Sequence, residues 1–326
     1  MRKNTLGRTG LEISELALGG GITGGILIKA DELTRISALM RAVAAGINWI
    51  DTAPLYGDGA SEETIGRHLS AISPQPQVST KVRIEAKDRD DLRGAIERSL
   101  EASLKRLRMD RVALFQLHNQ IGAAVGERPS VTPEQVLRTG GIADILDRLK
   151  EQGLCRAIGM TAAGDTAACL QVIASGRFDC AQVYYNVINP SAAWSRPPPA
   201  WKAQNFSRII AACFRQHMGI LAIRIWAGGP LASASRPEQL SVFTSGTDVD
   251  SEMRRAAAVR TTLGHAYGTA AQTALRFVLG NRDLSTRVIG ISALTHLDEA
   301  LAALDHGPLP AGAVGRLEAL WATDFR

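Results

Sequence analysis

Strand-like and helix-like segments alternate along nearly the whole of this 326-residue chain, eight of each in turn. Short apolar runs rich in β-branched or aromatic residues read as buried strands, and runs with apolar residues three and four apart read as helices. The strand-like runs are ELALG (15–19), INWI (47–50), QVSTKV (77–82), VALFQLH (112–118), CRAIGM (155–160), CAQVYYN (180–186), GILAIRI (219–225) and TRVIG (286–290). The first helix is expected over 31–46, with Leu33, Ile36, Leu39, Met40 and Val43 at helical spacing and Gly46 as its stop. SEETIGRHL follows with Ser61 as its N-cap, and a long helix is expected from Asp88 to Arg108. Thr132 and Pro133 start the next helical region, and a last helix lies near Val314 to Trp321. Strict alternation requires parallel strands joined by crossover helices. Eight such units favour one (β/α)8 TIM barrel spanning 1–326 over an open doubly wound sheet. No G-x-G-x-x-G follows the first strand, which argues against a Rossmann domain.

Composition narrows the class further. The chain is 45% hydrophobic and 21% charged, the balance of an ordinary globular protein. No stretch approaches the roughly 18 apolar residues of a membrane span. No basic start leads into an apolar segment, so a secretory signal is not expected and the cytoplasm is the expected compartment. The net charge is +5, spread along the chain without a basic stripe, which argues against nucleic-acid binding and fits a cleft for an anionic cofactor. Cys155, Cys169, Cys180 and Cys213 form no C-x-x-C pair and sit in apolar surroundings, so reduced buried thiols are expected and no metal site is.

Four polar residues stand near the ends of consecutive strand-like runs: Asp51 after INWI, Tyr56 in the following DTAPLYG, Lys81 in QVSTK and His118 closing VALFQLH. In a barrel those ends converge on one face, where such folds carry their chemistry. A phenol ionises near pH 10; a neighbouring ammonium stabilises the phenolate, a carboxylate keeps that ammonium charged, and a histidine can hold a carbonyl oxygen. Such a centre moves a proton at the oxygen of a C=O or CH–OH group, and a nicotinamide cofactor would carry the hydride. Each residue taken alone also has a structural reading: a turn aspartate, a packing tyrosine, a snorkelling lysine, a satisfied histidine. Lysine is rare here, seven against thirty arginines, and Lys81 alone sits within an apolar strand-like run.

Three connections are long: Asn119 to Val131, Ile188 to Gln204, and Ala227 to about Asp250. All follow strands, so they belong to the face that binds substrate. Trp194, Trp201 and Trp226 lie in or beside them, either lining a pocket or anchoring a loop, whereas Trp49 reads as core. The glycine-rich GGGITGG (19–25) reads as a loop at the barrel mouth, with Gly20 a candidate for close approach to a ligand.

At these residues the chain resembles the aldo-keto reductase superfamily over nearly its whole length. TLGRTGLEISELALGGG resembles the family's N-terminal hairpin and first strand, DTAPLYGDGASEETIG its most specific signature, and LKRLRMDRVALFQLH the helix and strand that deliver its histidine. The resemblance implies a barrel that interconverts carbonyls and alcohols with NADPH or NADH. It makes Tyr56 the general acid/base, Lys81 and Asp51 its tuning pair, and His118 the group orienting the carbonyl. It implies cofactor contacts at Thr161 in IGMTA, Gln182, Arg224, Gly290, Ser292, His296 and Glu299. The chain departs from the family pattern at Ala162 and Ala300, which replace asparagines, and at Ile291 and His296, where basic residues for a 2′-phosphate are usual. NAD or dual use is therefore open beside NADP.

The substrate expected is a small aldehyde, ketone or sugar. The alternatives are an NAD-linked aldose or alcohol dehydrogenase working in the oxidising direction, a non-catalytic cofactor-binding regulatory subunit, and a barrel isomerase or lyase using Lys81 as a Schiff-base amine. The sequence leaves oligomeric state open.

Overall fold

The computed structural model describes residues 1–122, 128–236 and 244–326. Eight parallel strands close into a barrel: β1 (Leu16–Gly19), β2 (Trp49–Asp51), β3 (Gln77–Val82), β4 (Val112–Leu117), β5 (Cys155–Ala162), β6 (Cys180–Tyr184), β7 (Gly219–Ile223) and β8 (Thr286–Gly290). Neighbours in sequence are neighbours in space, and β8 returns to β1 with Arg287 opposite Leu16 and Gly290 opposite Gly19. Helices cross between them on the outside: α1 (Glu32–Ala44), α2 (Ala60–His68), α3 (Leu92–Leu107), α4 (Ile142–Glu151), α5 (Thr166–Ala174), α6 (Ile209–Arg215), α7 (Ala270–Leu279) and α8 (Leu294–His306). This is the (β/α)8 TIM barrel expected from the alternation.

Pleating sends every second residue of a strand into the barrel. The deep inner layer is apolar: Ala17, Trp49, Leu114, Ala157, Cys180 and Leu221, with Val288 packed against it. The N-terminal hairpin, Lys3–Thr5 paired antiparallel with Glu12–Ser14, closes the floor by adding Leu6, Leu11 and Ile13 to that layer. Two residues further along, the inward positions of three strands turn polar: Asp51 beyond Trp49, Gln116 beyond Leu114, Gln182 beyond Cys180. Period-two geometry therefore carries the chain from a dry floor to a polar mouth.

Several boundaries differ from expectation for identifiable reasons. The helix expected from Asp88 to Arg108 starts at Leu92, because Asp91 caps it by accepting from the Gly94 amide at 3.0 Å and Ala86–Asp88 forms a separate 3-10 turn. Ser61 lies inside α2, whose N-cap is Gly59, and its hydroxyl meets Thr52 at 2.9 Å. In α1 the stripe facing the barrel is Ala38, Leu39 and Ala42, while Leu33 and Met40 are exposed. A helix at Val249–Leu263 escapes the apolar pattern because two of its five buried positions are charged, Glu252 and Arg255 beside Ala256, Val259 and Leu263. The long connections at Asn119–Val131 and Ala227–Asp250 include residues 123–127 and 237–243, which lie outside the described residues.

Helices α2 and α3 meet at Gly66, where an added Cβ would stand 2.1 Å from the Arg106 carbonyl oxygen and 2.7 Å from the Leu107 carbonyl carbon. Gly315, exposed in the helix Ala311–Ala322, faces open space. Gly66→Ala is expected to lower unfolding free energy by about 1–3 kcal/mol through overpacking. Gly315→Ala is expected to raise it by about 0.5–1 kcal/mol through helix propensity. Urea unfolding of both variants checks the pair; equal effects would contradict the close approach.

Candidate active site

The polar mouth is organised around the Asp51 carboxylate, which is 3% exposed at the end of β2. Its Oδ2 accepts from Lys81 Nζ at 2.7 Å. Its Oδ1 accepts from Ser79 Oγ at 2.8 Å, Gln182 Nε2 at 2.8 Å and Gln116 Nε2 at 3.2 Å. Donors from β3, β4 and β6 thus converge on a residue of β2, which requires the closed barrel. Trp49 Nε1 donates to Ser79 Oγ at 3.0 Å, so a core tryptophan sets the hydroxyl that sets the carboxylate.

Lys81 is fully buried on β3 and also donates to the Thr52 carbonyl at 2.7 Å. Burial, the largest single influence, disfavours the ammonium. The Asp51 carboxylate and then the Tyr56 phenol oppose it, and together they lift the Lys81 pKa above the ordinary lysine value. Deleting one member of such a buried pair leaves an uncompensated charge, a cost of about 3–5 kcal/mol. The Tyr56 ring centroid lies 4.9 Å from Lys81 Nζ and 5.9 Å from the His118 ring, which meets it edge-on at 85°. The four residues expected at consecutive strand ends therefore stand together. An amine so enclosed and charged does not fit a Schiff-base nucleophile, which must be neutral and reachable by substrate.

His118 follows β4, its amide donating to the Val82 carbonyl at 2.8 Å. Its Nδ1 is buried without a hydrogen-bond partner among the described residues. Burial first, then the positive charges of Lys81, Arg83 and Arg128, push its pKa well below the usual histidine value. The ring is neutral at neutral pH and can share a hydrogen bond with a carbonyl oxygen without bringing a charge.

A cavity of about 830 Å³ opens over this group. Asp51, Tyr56 and His118 line it, and so do Thr161, Gln182, Arg224, Gly290, Ser292, His296 and Glu299. Lys81 does not, because it sits behind the wall, 4.9 Å from the Tyr56 ring centroid. Gly20 does not line the cavity either. Its neighbours Gly19 and Gly21 do, while Gly20 packs away from it, where a Cβ would stand 2.3 Å from Ser61 Oγ. Glycine at 20 serves packing of the turn onto α2 rather than an open approach to a ligand.

Several features fit a dinucleotide. Thr161 Oγ1 is buried with no partner among the described residues. At Gly290 an added Cβ would come 2.6 Å from the Thr23 carbonyl oxygen, so the loops after β1 and β8 are pressed together and expose backbone. Arg224 leaves β7 with φ of +60°, a turn that sets the chain on a new course at the rim. Ser292 meets His296 Nδ1 at 3.1 Å, and Glu299 takes a hydrogen bond from Thr269. Ile291 is fully buried, so its side chain cannot reach a ligand. Gln116 was absent from the sequence expectations, although its place two residues before His118 on the same strand face is a usable signal. Among the tryptophans, Trp226 lines the cavity, while Trp194 and Trp201 pack edge-on at 4.9 Å and anchor the loop after β6. Among the described residues no cluster of three or more His, Cys, Asp or Glu could hold a metal, and no helix is long and apolar enough to cross a membrane.

A model described as the aldo/keto reductase family matches residues 15–322, and the chain belongs to that family of oxidoreductases acting on carbonyl and alcohol groups. The aldo-keto reductase YhdN of Bacillus subtilis (strain 168) is 32% identical over 168 residues, 49% of this chain and 47% of that protein, so this match spans about half of each. L-galactose dehydrogenase of Arabidopsis thaliana is 24% identical over 305 residues, 92% of this chain and 86% of that protein. The fold is shared with the holo form of an aldo-keto reductase from Bacillus halodurans, at TM-score 0.72 and 20% identity over 99% of this chain and 97% of that one.

The His118 environment has a measurable consequence. Its folded pKa lies below the unfolded value of about 6.5, so the unfolded chain binds the proton first. Stability is full above that pH and falls as pH drops below about 6.5 toward the folded value. Thermal melts between pH 7.5 and 5.5 are expected to show a steeper loss of Tm for the parent than for His118→Gln; parallel curves would contradict the assignment.

Proposed function

We propose that this protein is an NAD(P)-dependent reductase of a small aldehyde or ketone, with Tyr56 as the general acid. The observation that carries the reading is the fully buried Lys81 ammonium, fixed by Asp51 on one side and 4.9 Å from the Tyr56 ring on the other. Tyr56 Oη gives its proton to the carbonyl oxygen. The phenolate left behind is stabilised by Lys81, whose charge Asp51 maintains. Neutral His118 holds the carbonyl oxygen by hydrogen bonding and excludes other orientations. When bound, the nicotinamide supplies the hydride. Thr161, Gln182 and Arg224 would hold its carboxamide and ring end, and Gly290, Ser292, His296 and Glu299 the phosphates and adenosine. The NADH-specific methylglyoxal reductase of Escherichia coli (strain K12), 30% identical over 208 residues, and an NADP-bound aldo/keto reductase structure from Klebsiella pneumoniae, of shared fold, support either dinucleotide.

The stretch Ser292–Glu299 contains no lysine or arginine, which favours NAD. That feature also supports a second reading, an alcohol or aldose dehydrogenase in which the same Tyr56 acts as base in the oxidising direction.

Tryptophan-fluorescence titration with NADH and NADPH tests the cofactor class; binding of neither would refute the reading. Tyr56→Phe is expected to keep cofactor affinity and to lower kcat by about 10²–10⁴-fold, and turnover at the parent rate would remove Tyr56 from the role. Lys81→Arg is expected not to rescue Lys81→Ala in kcat, since a planar guanidinium cannot take the place of a compact ammonium held between Asp51 and Thr52.

A further inference from the structure

Two fully buried polar side chains beside the Asp51–Lys81 pair, Ser79 and Gln116, have no part in the proposed reaction. Neither borders the cavity, so neither can touch a ligand there. A polar group at that depth is costly unless it is hydrogen-bonded, so its partners show what holds it in place.

Barrel closure brings both to one carboxylate oxygen. Asp51 on β2 is level with Ser79 on β3, Lys81 with Gln116 on β4, and Gln116 with Gly159 on β5. Ser79 Oγ and Gln116 Nε2 donate to Asp51 Oδ1 at 2.8 and 3.2 Å, beside Gln182 Nε2 at 2.8 Å. The Gln116 stem has room because residue 159 is glycine: a Cβ there would stand 3.0 Å from Gln116 Cγ. The other amide atom, Oε1, has no hydrogen-bond partner among the described residues, so among them the amide serves Asp51 alone. The Ser79 hydroxyl has a second acceptor in range, the Ile50 carbonyl at 3.5 Å, but its contact with Asp51 is much the shorter. Trp49 Nε1 donates to that hydroxyl oxygen at 3.0 Å, which leaves the hydroxyl proton for Asp51.

The two oxygens of Asp51 are thus loaded unequally. Among the described residues Oδ1 accepts three hydrogen bonds and Oδ2 accepts one, from Lys81. Contacts from three strands fix the plane of the carboxylate, and with it the direction in which Oδ2 holds the ammonium. Hydrogen bonds to Oδ1 also draw negative charge toward that oxygen, so Oδ2 neutralises less of the Lys81 charge. The ammonium has three protons to donate. Asp51 and the Thr52 carbonyl take two of them, at 2.7 Å each, and the Tyr56 phenol is the remaining polar group that acts on it.

We infer that Ser79 and Gln116 are positioning residues for the proton transfer: acting through Asp51 Oδ1, they orient Lys81 and leave its charge for the phenolate of Tyr56. The inference rests on the carbonyl-reducing reading and adds two residues to it. Neither exchanges a proton with substrate. Gln182 is outside the claim because it also lines the cavity, where contact with a ligand would mask its effect on Asp51.

The test separates chemistry from binding and folding. Gln116→Met keeps the volume of the side chain and removes both polar atoms. Ser79→Ala removes the hydroxyl, and Ser79→Thr retains one. Full-length parent and variants are compared with methylglyoxal and 4-nitrobenzaldehyde, using NADH and NADPH, in single turnovers that product release does not limit. In Gln116→Met and in Ser79→Ala the rate of cofactor oxidation is expected to fall roughly tenfold, the weight of one hydrogen bond to a charged group. The solvent deuterium isotope effect on that rate is expected to rise above the parent value, because proton transfer then governs the step. Cofactor Kd from tryptophan fluorescence is expected to stay at the parent value, since neither residue borders the cavity. The Tm of Gln116→Met is expected to stay within about 4 °C of the parent, as a volume-conserving core exchange allows. Ser79→Thr is expected to recover most of the rate lost in Ser79→Ala, and this serine pair decides alone if Gln116→Met does not fold. A Tyr56-dependent rate that Gln116→Met and Ser79→Ala both leave at the parent value overturns the inference while leaving carbonyl reduction standing. A loss of rate accompanied by weaker cofactor binding, a lower Tm and an unchanged isotope effect also overturns it, since a collapsed site gives that result. Tyr56→Phe turning over like the parent overturns the reading and the inference together.

Discussion

A buried charge pair organises this molecule. The Asp51 carboxylate lies inside a barrel and accepts hydrogen bonds from four donors on three other strands. Two charges removed from water cost more than their attraction returns unless every remaining lone pair and proton is also satisfied. Here Ser79, Gln116, Gln182 and the Thr52 carbonyl complete that shell. The arrangement therefore tolerates little displacement of one strand against the next. A one-residue slip would send Lys81 or Gln116 to the helix side of the barrel, leaving a charge without its partner.

The rest of the architecture serves that constraint. The hairpin and the inner apolar layer close the barrel from below, so the ion pair sits on a dry floor and faces the ligand cavity only through Tyr56 and Asp51. Closure also separates duties around the rim. Gly19 ending β1, Thr161 in β5 with its unpartnered hydroxyl, and Gly290 ending β8 border the cavity on one side, while the segments at the ends of β3 and β4 bring histidine and arginines to the far side. Under the proposed reduction, this separation would let hydride donor and carbonyl approach from opposite directions, with the phenol between β2 and β3 beside the meeting point.

Much of this was legible in the linear order of residues because two of its determinants are local. Alternating periodicities of about two and 3.6 define the strands and helices, and their strict alternation admits few topologies. The four polar residues at strand ends announced themselves by interrupting apolar runs, where a charged side chain is otherwise costly. The helix Val249–Leu263 escaped because Glu252 and Arg255 occupy positions where a helix ordinarily shows apolar residues. Arg255 is acceptable there through its ion pair with Asp324 and its stacking on Trp201 and Phe325, partners scattered over the chain. Gly20 misled because glycine permits close approach without saying what approaches; here it is Ser61.

The sequence by itself determined the barrel and the strand ends near which Asp51, Lys81 and His118 stand, because these follow from pattern and from the chemistry of single residue types. Only the tertiary structure decided that Lys81 sits behind the wall, that Gln116 and Trp49 belong to the same network, and that Arg83 and Arg128 line the cavity on the side away from the glycine loops. Those facts depend on which residues of different strands come level with one another. That level is set by closure of the barrel, a property of all eight strands together.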